Sequence, residues 1–377
     1  LDGAGRRDEI AAVFRQALWL SAGLGVLLFV FLSVIGHALV PMGIAPAIRT
    51  GTLAFLHGIR WGVPALTLYF CMRYLSDGLH WTWPTMLLGF GGLLVLVPMG
   101  YVLTFGMYGL PELGAGGLGI ASAVMMWAQA IVFVLYLWRS KRFAGLRLFA
   151  RFDPPRWPPI RGLLATGLPI GVTVAMEGSL FIVTALLIGR LGSVPVAAHQ
   201  IAINVASLCF MIPLGLAEAT TVRVGHALGR GNAFDVRRAA FAGYTLALVT
   251  QSLSALVLLF GNHLLVALYT RDAAVAALAA SLLLYAAAFQ FPDGIQVLSA
   301  GALRGLKDTR MPMLLAAVAY WGIGMPLGAG LGLGLGGFTP ALGPRGMWIG
   351  LIAGLTVAAL LLCRRFLHSS RRIVVTT

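Results

Sequence analysis

LPIGVTVAMEGSLFIVTALLIGRLG, residues 168–192, and LLLYAAAFQFPDGIQVLSAGALRG, residues 282–305, decide the fold. Each is an apolar run long enough to cross the ~30 Å hydrocarbon core of a bilayer as a helix. Each also carries one acid near its middle, Glu177 in the first and Asp293 in the second. A carboxylate at bilayer depth costs about 2.5–3.5 kcal/mol on insertion-based scales, so such an acid is a functional-site candidate. The chain has only 12 Asp and Glu in 377 residues, and most of the rest fall in loops or at segment ends.

Working outward, the whole chain has the same texture. It is 59% hydrophobic and 10% charged, more apolar surface than a soluble chain of this length could bury. Ten apolar segments are expected, near 16–40, 51–75, 83–107, 116–138, 161–190, 196–226, 238–270, 275–304, 311–336 and 345–367. The basic residues fall mainly in alternate loops: 22 of the 27 Lys and Arg lie on the side that holds both termini, which predicts cytoplasmic termini. The net charge of +15 is explained by that topology and forms no nucleic-acid-binding face. Trp81, Trp83, Trp138 and Trp157 sit beside those same loops, where interfacial indoles belong.

The organisation expected is an N-terminal bundle over 1–138, a basic and proline-rich cytoplasmic linker over 139–160, and a C-terminal six-helix bundle over 161–377. The chain also repeats itself. Arg73-Tyr-Leu-Ser-Asp77 with Pro84 resembles Arg304-Gly-Leu-Lys-Asp308 with Pro312, and Gly3-Ala-Gly5 resembles Gly229-Arg-Gly231, at nearly one offset. Duplicated halves of this kind are common in transporters. The offset predicts a twelve-helix architecture of two bundles related by pseudo-two-fold symmetry. Ten helices would be present and four of them would make the first bundle.

The chemistry centres on the two acids. Pro292 cannot donate the usual backbone hydrogen bond, so it is expected to kink its helix and free the carbonyl of Ala288 beside Asp293. Pro169 and Pro213 are further expected kinks. A carboxylate beside a freed carbonyl suits a proton or a sodium ion, either of which can be bound and released in one cycle. Gln290 and Gln296 flank Asp293 at −3 and +3 and share its helix face. With Asn204 they are candidates for an ion or substrate shell. No base is expected at the depth of Glu177, since Arg190 is too far along its helix. Glu218, nearer a helix end and close to Arg223, reads equally well as a partly solvated pair. His199, near a helix end, is expected to be solvated. Cys71, Cys209 and Cys363 show no CxxC spacing, so neither a zinc site nor a disulfide framework is indicated. The run LGAGLGLGLGGF at 327–338 reads as close packing or helix-end sequence, because it lacks the strand and helix that a nucleotide loop needs. No catalytic constellation is found, so an enzyme is not expected.

AAHQIAINVASLCFMIPLGLAEATTVRVGHALGRGN at 197–232 resembles the multidrug and toxic compound extrusion (MATE) family, through AAHQIA, the mid-helix proline and TVRVGHALGRGN in order. FQFPDGIQVLSAGALRGLKDTR at 289–310 looks like the family's tenth helix and following loop. MEGSLFIVTALLIGRLG at 176–192 looks like its seventh helix, and GAGRRDEI at 3–10 like the loop after its second. The resemblance is closest to the NorM-like branch and implies that the first two helices are absent. It further implies a monomeric antiporter in the bacterial cytoplasmic membrane, exporting drugs and amphipathic organic cations against inward flow of sodium ions or protons, with no other cofactor. Glu177 and Asp293 match the cation-coupling carboxylates of the C-terminal bundle. Phe289 stands where some sodium-coupled members carry tyrosine. A lipid-linked oligosaccharide flippase of the same superfamily is the alternative, and its expected midplane arginines are not found.

Overall fold

The computed structural model describes residues 1–39, 46–151, 153–335 and 341–372. Every regular element among them is helical, and they group into two units, Leu1–Leu163 and Leu164–Thr377. Nine helices among the described residues are long and apolar enough to cross a membrane. Their outer faces carry large apolar side chains such as Leu94, Phe260 and Leu264, exposed by 78%, 85% and 73%. That is a lipid-facing surface, and the chain is a multi-pass membrane protein.

The first unit contains α1 (Arg7–Ile35), α2 (Pro46–Ile59), α3 (Val63–Gly78), α4 (Trp83–Phe105) and α5 (Ala115–Arg139). The single segment expected at 51–75 is instead two helices of 14 and 16 residues, each too short to span alone. The break falls at Arg60–Gly62, where the amide of Gly62 bonds back to Ile59 in a tight turn. Pro64 follows in the first turn of α3, where its missing N–H costs nothing. The Arg60 guanidinium packs over the rings of Phe29 and Trp61, 5.5 and 5.6 Å from their centroids.

The basic stretch after α5 is not a loose connector. It forms one helical turn, α6 (Lys141–Ala144), and buries Phe143 and Leu148 in the same core as Ala11, Phe14, Met72 and Phe133. Arg142 lies over the Trp81 ring at 4.3 Å. The following segment is bound to α1: Arg15 Nε donates to Asp153 (2.5 Å), Gln16 Nε2 to the Pro154 carbonyl (3.0 Å) and Trp19 Nε1 to the Asp153 carbonyl (2.9 Å), while Gln16 Oε1 accepts from the Arg156 amide (2.7 Å).

The second unit holds α7 (Trp157–Gly189), which starts in the first unit, α8 (Ser193–Gly229), α9 (Ala233–Ala267) and α10 (Ala273–Gly305). It continues with α11 (Arg310–Ala317), a π-helical segment (Val318–Gly324), α12 (Met325–Leu333) and α13 (Pro344–Arg371). Asn232 caps α9 by accepting from the Asp235 amide, and Asp272 caps α10 by accepting from the amides of Ala274 and Val275. Helix α10 is the hub, packed against α8, α9 and α13. Small residues bring the backbones together: Thr221 Oγ1 on α8 donates to the Gly301 carbonyl on α10 at 2.7 Å. Gly328 of α12 and Gly350 of α13 approach so closely that a Cβ on Gly350 would lie 2.2 Å from the Cα of Gly328. Close packing is therefore the role of that part of the glycine run, whose residues 336–338 lie outside the described residues.

Candidate functional site

Glu177 and Phe181 lie one turn apart on α7, and Phe289 and Asp293 one turn apart on α10. Helical spacing puts each pair on one face, and the two faces meet. All four residues line one cavity of about 150 Å³, closed by Ile203, Ala206, Ser207 and Phe210 of α8. The Phe181 and Phe289 rings stand edge to face, 6.1 Å between centroids, and Phe289 meets Trp348 in the same way at 5.7 Å. Glu177, Phe181 and Phe210 also line a second cavity, of about 320 Å³, which runs past Gln296 to Arg304, Asp308 and Thr309.

The polar groups of this region are buried and few are satisfied. Asp293 is 3% exposed, Gln296 1% and Tyr320 fully buried. Asp293 Oδ1, Gln296 Oε1 and the Tyr320 hydroxyl make no hydrogen bond among the described residues. Gln296 shares a cavity wall with Glu177, which is half-buried there. A buried oxygen without a partner is costly, so these oxygens are suited to a hard cation or a proton. The described residues contain no group of three or more His, Cys, Asp or Glu placed to hold a metal ion.

The structure sorts the other expected residues. Gln296 joins the site. Gln290 is fully buried but turns to α9, where Gln251 Nε2 donates to its carbonyl (2.9 Å) and its Oε1 (2.8 Å). Asn204 is exposed, and it lines neither of the two cavities. Pro169, Pro213 and Pro292 all lie inside continuous helices. Glu218 is half-buried on α8. His199 is not solvated: it is 2% exposed, because Trp348 of α13 packs on it at 5.9 Å. Arg304 belongs to the last turn of α10 and lines a cavity with Glu177, so a base does share a cavity with that acid. The duplicated Arg-Asp motif explains how. Arg73 bonds Asp77 on its own helix at 3.4 Å, whereas Asp308 is taken by Arg365 of α13 at 2.7 Å. Sequence reasoning missed Arg304 on the cavity wall and Tyr320, buried in the core with Phe289.

Comparison with known proteins decides the family. The MatE family model matches residues 2–102 and 169–329. This chain belongs to the MATE family. It is similar to the probable multidrug resistance protein NorM of Xanthomonas axonopodis pv. citri (strain 306), 68% identical over 374 residues that make up 99% of this chain and 81% of the relative. It is 43% identical to the multidrug resistance protein PmpM of Pseudomonas aeruginosa PAO1, over 99% of this chain and 78% of that one. Among solved structures it resembles the eukaryotic MATE transporter AtDTX14, with a TM-score of 0.85 at 20% identity over 99% of this chain and 83% of that one. MATE proteins are transporters rather than enzymes, in keeping with a site of buried acids and aromatic walls. The relatives place this MATE protein in the NorM-like branch of bacterial multi-pass membrane proteins.

Proposed function

We propose that this MATE protein is a monomeric cation-coupled antiporter that exports drugs and amphipathic organic cations by alternating access. One observation carries the reading: two acids from distant parts of the chain, Glu177 and Asp293, line one small aromatic-walled cavity within the second unit. An ion at those acids neutralises charge that is otherwise expensive to hold there. Occupancy of the pair by a proton or sodium ion therefore biases the equilibrium between the two access states, and inward ion flow drives export. Both ions fit the donor set, since Asp293 Oδ1 and the Gln296 carbonyl oxygen have no protein partner among the described residues. The relatives named as multidrug resistance proteins support the substrate class. The basic loops support a bacterial cytoplasmic membrane location with both termini inside, which puts the Arg304 end of α10 on the cytoplasmic side.

The test is ion-gradient-driven efflux of a fluorescent organic cation from proteoliposomes holding the full chain. Glu177→Gln and Asp293→Asn should each abolish coupled efflux while inserting normally. Near-normal efflux by both variants would remove the mechanism.

A further inference from the structure

Tyr320 is a tyrosine in an apolar stretch that lies within a π-helical segment, Val318–Gly324, between α11 and α12. The amide of Met325 bonds five residues back to the Tyr320 carbonyl. Such π-turns occur preferentially at functional sites. Here the wider turn stands against α13, where Gly324 meets Gly354 so closely that a Cβ on Gly324 would lie 3.0 Å from the Gly354 Cα. Tyr320 itself is fully buried in the core that also holds Phe289 and Trp348.

A buried phenol ordinarily finds a hydrogen-bond partner. The hydroxyl of Tyr320 has none among the described residues. It lies beside the Gln296 amide and within electrostatic reach of Glu177 and Asp293. Two neighbouring oxygens, Asp293 Oδ1 and Gln296 Oε1, lack partners as well. Oxygens on α7, α10 and the π-segment therefore lie within electrostatic reach of one another, and the one phenolic proton can satisfy only one of them. A bound cation, or a proton on a carboxyl, satisfies the rest.

We infer that Tyr320 is a binding residue of the cation site, its hydroxyl oxygen supplying a neutral ligand to the ion that Glu177 and Asp293 hold. This rests on the cation-coupled reading proposed above. For sodium the oxygen coordinates the ion. For a proton it accepts a hydrogen bond from the protonated carboxyl. A purely packing role for the ring would leave ion affinity untouched.

The experiment uses Tyr320→Phe in the full chain, which keeps the ring and removes only the oxygen. Thermal stability and dye efflux are followed against Na⁺ at fixed alkaline pH, and against pH in sodium-free buffer. The titratable or charged groups around the site are Glu177, Asp293, Arg304, Asp308 and, through Trp348, His199, and the substitution keeps all five. Loss of one oxygen ligand should raise the half-saturating Na⁺ concentration about tenfold, or move the proton midpoint about one pH unit to the acid side. Stability without the ion should change little. Unmoved midpoints, or a shift to the alkaline side, would overturn the assignment. Should the Phe variant fail to insert, 3,5-difluorotyrosine at position 320 keeps the oxygen but makes it less basic. It should shift the midpoint the same way by less, and an unmoved midpoint again overturns the assignment. The two readings fail separately. If Glu177→Gln and Asp293→Asn export normally, the cation-coupled reading falls. If they are inactive while both Tyr320 variants bind ions as the native chain does, only the role of Tyr320 falls.

Discussion

Glu177 of α7 and Asp293 of α10 line one cavity of about 150 Å³, and each has a phenylalanine one turn away, Phe181 and Phe289, in edge-to-face contact at 6.1 Å. Two acids in so small an apolar space cannot behave as independent sites. Neutralising one relieves the repulsion on the other.

The coupling is measurable as non-additivity. Glu177→Gln and Asp293→Asn should each reduce ion-dependent thermal stabilisation, and the double variant should fall short of their sum. Residues sharing one site typically show interaction energies of about 0.5–3 kcal/mol. Simple additivity across the cycle would mean that the acids hold ions separately.

Arg304 offers a competing charge. It lines the 320 Å³ cavity with Glu177, and its Nε bonds only weakly to the Ala300 carbonyl at 3.4 Å. Both side chains are partly buried, so the attraction is only partly screened and is on the order of 1 kcal/mol. Arg304→Gln should therefore tighten the binding of the coupling cation by up to roughly fivefold. Weaker cation binding in this variant would show that Arg304 organises the site rather than opposing the ion.

How much of this could be read from the sequence depended on what periodicity and composition can express. The acids were legible because charge in an apolar run is rare and costly, and Gln296 because it shares a helical face with Asp293. The 51–75 segment is apolar on either side of Arg60, so hydropathy averaged over a span ran across the break made by Arg60, Trp61 and Gly62. His199 looked solvated by its place near a helix end, yet Trp348, far along the chain, covers it. Arg304 fell at the very end of the 275–304 segment, and helix ends are uncertain by several residues. Tyr320 was invisible for a different reason: an aromatic residue in an apolar run reads as packing, and no α-helical period describes a π-turn.

The linker is held by one side chain more than its composition suggests. Gln16 is 3% exposed and bonds both the Pro154 carbonyl and the Arg156 amide. Gln16→Leu keeps the volume and leaves both backbone groups unpaired, at a cost of about 1–3 kcal/mol. Thermal unfolding in detergent should fall accordingly, and trypsin should cut faster at Arg147, Arg151 and Arg156. Native resistance to trypsin in this variant would show that the buried Phe143 and Leu148 alone hold the segment.

Helices α12 and α13 test whether glycine is present for space. A Cβ on Gly350 would lie 2.2 Å from Gly328 Cα, 2.4 Å from its nitrogen and 2.6 Å from the Gly324 carbonyl oxygen. All three are backbone atoms, so no side chain can swing aside and the helices must part. Overpacking of this kind costs about 1–3 kcal/mol or more. It should also disturb the π-segment, because Gly324 belongs to it, and so weaken cation binding together with stability. Gly330, on the same α12, has open space around it. Gly330→Ala should be neutral or slightly stabilising, since alanine is the better helix former by about 1 kcal/mol. Thermal unfolding of Gly350→Ala and Gly330→Ala side by side separates space from flexibility: equal tolerance of both would mean that the close approach of Gly328 and Gly350 does not hold these helices together.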